Sequence, residues 1–241
     1  MSETIQAGVL YVVSTPIGNL EDISFRAVRV LKSVDLIAAE DTRTTRFLLQ
    51  HFSIARPVLS YYSYNEGRRL PELIRKLQAG KSIALVSEAG TPGISDPAYL
   101  LIRKAVEEQI RVIPIPGASA VLAALVASGL PTDRFVFEGF LPVKKGRTRR
   151  LEVLKREERT IVLYESPFRI EQTVADILQH VGNRRISIVR EVTKKFEEVL
   201  RGSAGEVLDM LRKRPVRGEI VLVMEGASGK EVPPALHGGG S

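Results

Sequence analysis

Short apolar runs that alternate with longer amphipathic segments constrain this chain more than any other feature. The runs are Val9–Ser14, Leu36–Glu40, Ile83–Ser87, Val112–Ile115, Phe135–Phe140, Thr160–Glu165, Ile186–Arg190 and Glu219–Met224. Several are apolar at consecutive positions. A strand with one wet face alternates, whereas a strand covered on both faces does not, so these runs predict sheet sandwiched by helices, as in a parallel sheet. Between them, Ile23, Ala27, Val30, Leu31 and Val34 recur at helical spacing after Asp22. Leu70 to Leu77, Ala98 to Glu108, Ala118 to Ser128, Ile170 to Val181 and Gly205 to Leu211 repeat the pattern. Strand–helix alternation of this kind predicts an α/β fold with crossover connections.

Composition narrows the class. The 241 residues suit one large domain or two ordinary ones, and 44% are hydrophobic, enough for a real core. With 6% aromatic residues and no Trp, that core is aliphatic. There is no cysteine, which removes disulfides, thiolate zinc sites and cysteine nucleophiles. Met1 to Leu10 carries no basic leader pattern, and no apolar run approaches the roughly 20 residues that span a bilayer. A cytoplasmic protein with no membrane partner is expected. A formal charge of +7 suits a polyanionic partner.

Ile113-Pro-Ile-Pro-Gly-Ala-Ser119 interrupts both kinds of element, because two prolines and a glycine stop either from running through. We place a domain boundary there, giving an N-terminal domain over 1–116 and a C-terminal domain over 117–226. Residues 227–241, ending Gly-Gly-Gly-Ser, read as a flexible tail outside the fold.

Three junctions share one design of apolar strand, turn of small residues and helix start. They are Val12-Val-Ser-Thr-Pro-Ile-Gly-Asn19, Ala84-Leu-Val-Ser-Glu-Ala-Gly-Thr-Pro-Gly93 and Ile113-Pro-Ile-Pro-Gly-Ala-Ser119. The second is followed by Asp96-Pro97, a capping residue with proline at the first helical position. Ordinary turn chemistry explains any one of them. Three in the same half point to a ligand beyond the carboxyl ends of the strands, where backbone can approach it closely. No Gly-x-Gly-x-x-Gly or Walker A pattern occurs, so dinucleotide and P-loop readings lose their support.

Polar groups end three other strands, in Ala39-Glu-Asp-Thr-Arg-Thr44, Tyr164-Glu-Ser-Pro-Phe-Arg169 and Arg190-Glu-Val-Thr-Lys194. Each is either a helix cap with a surface ion pair or a set of working groups. Lys144-Lys-Gly-Arg-Thr-Arg-Arg150 puts five cations in seven residues, an exposed and mobile candidate for gripping phosphates. Arg43, Arg46, Arg68 and Arg69 extend that patch. His51, His180 and His237 have no ligand spacing, so no metal site is expected.

Taken in order, Leu10 to Ile23, Asp35 to Arg43, Ala84 to Pro97, Gly129-Leu-Pro-Thr-Asp-Arg-Phe135, Glu138-Gly-Phe-Leu-Pro142 and Tyr164 to Arg169 resemble the ribosomal RNA small subunit methyltransferase I family of the tetrapyrrole methylase superfamily. The resemblance spans roughly residues 9 to 225. It implies a two-domain tetrapyrrole-methylase-like fold, each domain a roughly five-stranded sheet with flanking helices, with S-adenosyl-L-methionine in the cleft between them. It implies 2′-O-methylation of a cytidine in the decoding centre of 16S ribosomal RNA, as naked RNA or as the small ribosomal subunit, by a homodimer. Carried onto this chain, cofactor contacts fall on Pro16, on Glu88, Ala89, Gly90, Thr91 and Pro92, on Ala118 and Ser119, and on Tyr164, Glu165 and Ser166. Glu88 stands where the family commonly has Asp. RNA contacts fall on Arg43, Arg46, Lys144, Lys145, Arg147, Arg149 and Arg150.

Direct displacement by a ribose hydroxyl needs positioning above all, helped by a base or by a cation that stabilises alkoxide character. Glu165, Arg169, Glu191 and Lys194 are the catalytic candidates, because each ends or follows a strand expected to reach the cleft. The same fold could serve a precorrin-type tetrapyrrole methyltransferase. Those relatives usually carry a Gly-x-Gly-x-Gly-Asp type loop where this chain has Thr15-Pro-Ile-Gly-Asn19. A non-catalytic RNA-binding module is the remaining alternative.

Overall fold

The computed structural model describes residues 5–96 and 98–227. Contacts divide them into two units. The first holds the residues up to Ala123 together with Val192–Lys195, and the second holds Ala124–Glu191 and the residues from Phe196 onward. The sequence places the boundary at 116; the contact division falls between Ala123 and Ala124. The N-terminal four residues, Pro97 and the tail from Ser228 lie outside the described residues.

The first unit runs β1 (Leu10–Val13), α1 (Phe25–Ser33), β2 (Leu36–Ala39), α2 (Thr42–His51), β3 (Val58–Ser60), α3 (Glu66–Gln78), β4 (Ile83–Val86), α4 (Ala98–Glu107) and β5 (Val112–Ile115). Its sheet has the order β3-β2-β4-β1-β5, and every pairing is parallel. Successive residues of a strand point to opposite faces, and both faces are covered. Tyr11, Val13, Ile37, Ala84 and Val86 pack with α1 residues Ala27, Val30 and Leu31. Leu10, Ala38, Ile83 and Leu85 pack with Leu73 and Leu77 of α3 and Leu101 of α4. That two-sided burial is why the strands read as unbroken apolar runs. Both edges are irregular. β3 has only three residues, and β5 carries Pro114.

Local signals set the helix starts. Ser24 caps α1 by accepting from the Ala27 N–H at 3.1 Å. Asp41 caps α2, accepting from the N–H groups of Arg43 (2.7 Å) and Thr44 (3.4 Å). The Arg43 side chain also bonds Asp41, and with those N–H donors it holds the carboxyl down to about 2. Part of the polar run Ala39–Thr44 is therefore a helix cap.

α5 (Ala120–Ser128) crosses the division between the units. The second unit follows with β6 (Phe135–Phe140), α6 (Arg147–Leu154), β7 (Thr160–Glu165), α7 (Ile170–His180), β8 (Arg185–Arg190), β9 (Glu198–Ser203), α8 (Ala204–Lys213) and β10 (Ile220–Met224). Its sheet has the order β6-β7-β10-β8-β9. Only β6 and β7 pair in parallel; the other neighbours are antiparallel. The parallel expectation thus holds for the first unit and not for the second, because an unbroken apolar run reports burial on both faces, not strand direction. Ile161, Leu163, Ile186, Ile188 and Leu222 pack beneath Leu151 of α6, Val174 and Ile177 of α7 and Val207 and Leu211 of α8. Val162 and Val223, on the opposite face, are buried as well. The α/β class and the two five-stranded sheets match the sequence expectation.

Among the described residues, no helix is long and apolar enough to cross a membrane.

Candidate functional site

In the first sheet β4, β1 and β5 are neighbours, so the three small-residue turns leave the same end of adjacent strands. They are also bonded to one another. Thr15 and Gly90 form an antiparallel bridge, with Thr15 N–H donating to Gly90 O at 2.9 Å and Gly90 N–H to Thr15 O at 3.1 Å. The Ser14 and Thr91 hydroxyls lie 2.9 Å apart, and Thr91 Oγ1 donates to Ala118 O at 3.4 Å. Ser14 N–H donates to Ile115 O at 3.1 Å, which ties the first turn to the third.

Two glycines make this closeness possible. Gly90 has φ +76, and a Cβ there would meet Ile17 Cγ2 at 3.3 Å. A Cβ on Gly117 would lie 2.9 Å from the Ser14 Cβ. Of the residues singled out on these turns, Pro16, Gly90 and Pro92 are buried, Thr91, Ala118 and Ser119 are half-buried, and Glu88 and Ala89 are exposed. The sequence reading selected neither Ser14 nor Gly117. Both lie inside the turns it quoted, and the signal for them was small size next to a strand end.

Glu40 follows β2 beside this group, and its Oε2 accepts from Glu88 N–H at 3.0 Å. Burial pushes its carboxyl above the ordinary value, assisted by the nearby Asp96, Glu88 and Asp41 charges.

In the second unit, Glu165 at the end of β7 is the centre of a network. Its carboxylate accepts from Ser166 N–H (2.8 Å), Thr173 Oγ1 (2.6 Å) and Arg169 Nη2 (3.1 Å). Arg169 Nη2 also donates to Leu141 O at 2.9 Å. Arg147 donates to Thr173 Oγ1 at 2.8 Å and pairs with Asp176 at 2.7 Å. The Glu165 side chain is 1% exposed, so a charge-assisted set of donors is what makes its burial tolerable. Thr173 and Asp176 were not among the sequence candidates. Helical spacing links them to the start of α7, since Arg169, Thr173 and Asp176 fall on one face. Tyr164 packs edge-on against Phe137 and at a tilt against Phe140, at ring centroids of 5.0 and 5.6 Å, and burial raises its hydroxyl above the ordinary value.

Of the four catalytic candidates, the fold brings Glu165 and Arg169 into contact. Glu191, with φ +51, follows β8 in the second unit. Its Oε1 accepts from Glu219 N–H at 3.0 Å, and its side chain lies where a Cβ on Gly218 would have to go. Together with Phe196, Val216 and Arg217 it lines a cavity of about 270 Å³. Lys194 belongs to the segment grouped with the first unit, and its Cγ would be 2.5 Å from a Cβ on Gly18.

The basic segment divides into two kinds of side chain. Arg147 is half-buried in the network above, and Arg150 pairs with Glu138. Lys144, Lys145 and Arg149 are exposed. Residues from Arg147 onward form α6 instead of the mobile stretch that the charge run suggested. In the first unit Arg43 and Arg46 are exposed on α2, with Arg43 paired to Asp41 at 2.7 Å. Arg68 is exposed, and Arg69 pairs with Glu72 at 2.7 Å. Among the described residues, no group of three or more His, Asp or Glu is arranged to hold a metal ion.

Comparison with known proteins sets this geometry in a family. Residues 9–208 match the family described as Tetrapyrrole (Corrin/Porphyrin) Methylases. The chain is 52% identical, over 94% of its length and 78% of the relative's, to the ribosomal RNA small subunit methyltransferase I of Halalkalibacterium halodurans. In fold it is similar to the cobalamin biosynthetic enzyme cobalt precorrin-4 methyltransferase, with a TM-score of 0.67 at 17% identity over 90% of this chain and 95% of that one. It is also similar to uroporphyrin-III C-methyltransferase from Thermus thermophilus, solved with S-adenyl homocysteine, with a TM-score of 0.62 at 20% identity over 90% and 96% of the two chains. The chain belongs to the tetrapyrrole methylase family, and within it to the ribosomal RNA small subunit methyltransferase I group.

Proposed function

We propose that this chain methylates the ribose 2′-oxygen of a cytidine in the decoding centre of 16S ribosomal RNA. The family supports ribosomal RNA methylation with S-adenosyl-L-methionine as the methyl donor. The observation that carries the reading is the bonding of three strand-end turns into one surface at the end of β4, β1 and β5. Its residues fit a nucleoside with an amino-acid tail. They are small, they offer the Thr91 and Ser119 hydroxyls, and a glycine replaces the side chain that would fill the Gly90 bend. On this reading Pro16, Glu88 to Pro92, Ala118 and Ser119 hold the donor, with Tyr164 and Ser166 as further contacts, while Glu165 is kept for Arg169. Bound there, the sulfonium supplies a methyl group already activated for transfer.

The remaining work is positioning and proton handling. Glu165 is surrounded by donors, and protonating its carboxylate would break charge-assisted bonds to Arg169 and Thr173. We assign it to holding Arg169, whose guanidinium is the cation that would steady a developing alkoxide. Glu191 is left to take the hydroxyl proton, and Lys194 to orient the ribose or add to the positive charge beside it. Lys144, Lys145 and Arg149, with Arg43 and Arg46, contact phosphates; Arg147 and Arg150 keep α6 in place beneath them. We further propose that the protein acts as a homodimer in the cytoplasm.

The test incubates labelled S-adenosyl-L-methionine with small ribosomal subunits that lack the modification, then maps the methyl by nuclease digestion and mass spectrometry. Label on a ribose 2′-oxygen of a decoding-centre cytidine supports the reading. Label on a base, or transfer only to a tetrapyrrole acceptor, sinks it.

A further inference from the structure

β3 ends at Ser60 on the edge of the first sheet and runs into Tyr61-Tyr62-Ser63-Tyr64-Asn65. These tyrosines have two fates. Tyr61 turns into the core, and its N–H donates to Ala39 O at 2.8 Å. Tyr62 and Tyr64 turn to solvent, 40% and 95% exposed, with ring centroids 6.1 Å apart. The turn is held by Asn65, whose Oδ1 accepts from Tyr62 N–H at 2.9 Å while Nδ2 donates to Ser60 Oγ at 2.7 Å and Ser60 O at 3.2 Å. The two rings are therefore presented on a pinned backbone.

Exposed arginines lie on the neighbouring elements. Ala39 and Ser60 are register partners, so the start of α2 and the tyrosine turn leave neighbouring strand ends. From α2, Arg43, Arg46 and Phe47 are exposed; from the first turn of α3, Arg68 is exposed. A single exposed tyrosine means little. Two neighbouring rings, tilted 59° to each other on a fixed turn, with exposed arginines on adjoining elements of a chain of charge +7, match how proteins hold unpaired nucleotides, with bases on aromatic faces and phosphates on cations.

We infer that Tyr62 and Tyr64 form a stacking platform for unpaired RNA bases, with Arg43, Arg46 and Arg68 gripping the adjoining phosphates. The inference rests on RNA as the substrate and adds a binding site outside the methyl-transfer site.

The chain's lack of Trp gives a direct probe. Tyr64→Trp introduces the molecule's one indole, and Tyr99→Trp, at an exposed position of α4, gives a control. An unstructured oligoribonucleotide of about 12 nucleotides is titrated into each. The platform requires quenching of the indole in Tyr64→Trp well beyond the control. It also requires Tyr62→Ala/Tyr64→Ala to weaken RNA binding about tenfold or more, with unchanged thermal unfolding and S-adenosyl-L-methionine binding. Tyr62→Phe/Tyr64→Phe restores binding, since stacking needs the ring and not the hydroxyl. An unquenched indole, a Phe pair as weak as the Ala pair, or an Ala pair that changes only self-association overturns the inference. Methyl incorporation by the unaltered chain is followed in parallel. If it methylates ribosomal RNA while the indole stays silent, the platform alone fails; if it neither methylates nor binds RNA, the substrate reading fails too.

Discussion

Thr15 and Gly90 face each other across 75 residues of sequence as a two-bond antiparallel bridge inside a parallel domain. Parallel strands cannot make such a bridge by continuing. It forms because the chain turns out of the strand direction after β1 and after β4, and the Gly90 backbone at φ +76 lets the two turns meet. Gly90→Ala places a β-carbon in a strained conformation and against Ile17. The expected cost is roughly 1–2 kcal/mol in unfolding free energy, with a larger proportional loss of S-adenosyl-L-methionine affinity. Denaturant melts and calorimetry on the same preparation check both; unchanged affinity would remove the turn from the donor site.

Gly117 and Ser14 give a reciprocal test. A Cβ at 117 would be 2.9 Å from the Ser14 Cβ, so Gly117→Ala should weaken cofactor binding by pushing the first and third turns apart. Ser14→Gly in the same chain removes the obstructing atom and should recover much of the loss. A double-mutant cycle reads the coupling, and additive effects would contradict direct contact.

Glu165→Gln removes the charge that Arg169 faces while keeping the shape. Breaking a buried pair from one side should destabilise by roughly 3 kcal/mol, lessened by the partial exposure of Arg169. If Glu165 holds Arg169, kcat falls while the donor's Kd changes little. Single-turnover methylation at a temperature well below the variant's Tm separates the two effects.

Two carboxylates of the first unit should mark the pH dependence of stability in opposite senses. Hydrogen bonds from Ser82 backbone and side chain, with the nearby Lys81, hold Asp35 at about 2. A depressed carboxylate contributes stability above its unfolded value and loses it as pH falls toward the folded one. Asp35→Asn should therefore flatten unfolding curves between about pH 4 and pH 2. Glu40 is raised by burial, so its ionisation costs stability as pH climbs past the ordinary carboxylate value. Glu40→Gln should stabilise the protein at neutral pH and have less effect in acid. Melts from about pH 2 to pH 8, a range that spans both groups, report each sign.

Much of this architecture was legible because burial leaves a simple trace. Runs such as Ile83–Val86 and Thr160–Glu165 are apolar without alternation, and the structure covers both of their faces. β3 and β9 left no such trace. Val58–Ser60 is short and half-buried, and Glu198–Ser203 carries Glu, Arg and Gly on a sheet edge. α2 was obscured by Thr42-Arg-Thr-Thr-Arg46, whose helical state depends on the Asp41 cap and on tertiary burial of Thr45 and Leu48. The turns around Gly90 and Gly117 were visible as composition, but their mutual hydrogen bonds were not, since no local pattern encodes a partner 75 residues away. The basic segment misled for a related reason. Charge counting cannot tell Arg147, locked onto Asp176 and Thr173, from Arg149 in solvent.

Pro114 has a consequence beyond its own strand. Leu10 and Ser14 donate to the carbonyls of Arg111 and Ile115, so the odd-numbered residues of β5 face β1 and Pro114 faces outward. The open margin of the sheet thus lacks a donor at its centre, and the opposite margin offers only the three residues of β3. A stray strand from another chain would find poor purchase on either side, which protects a concentrated solution from edge-to-edge aggregation.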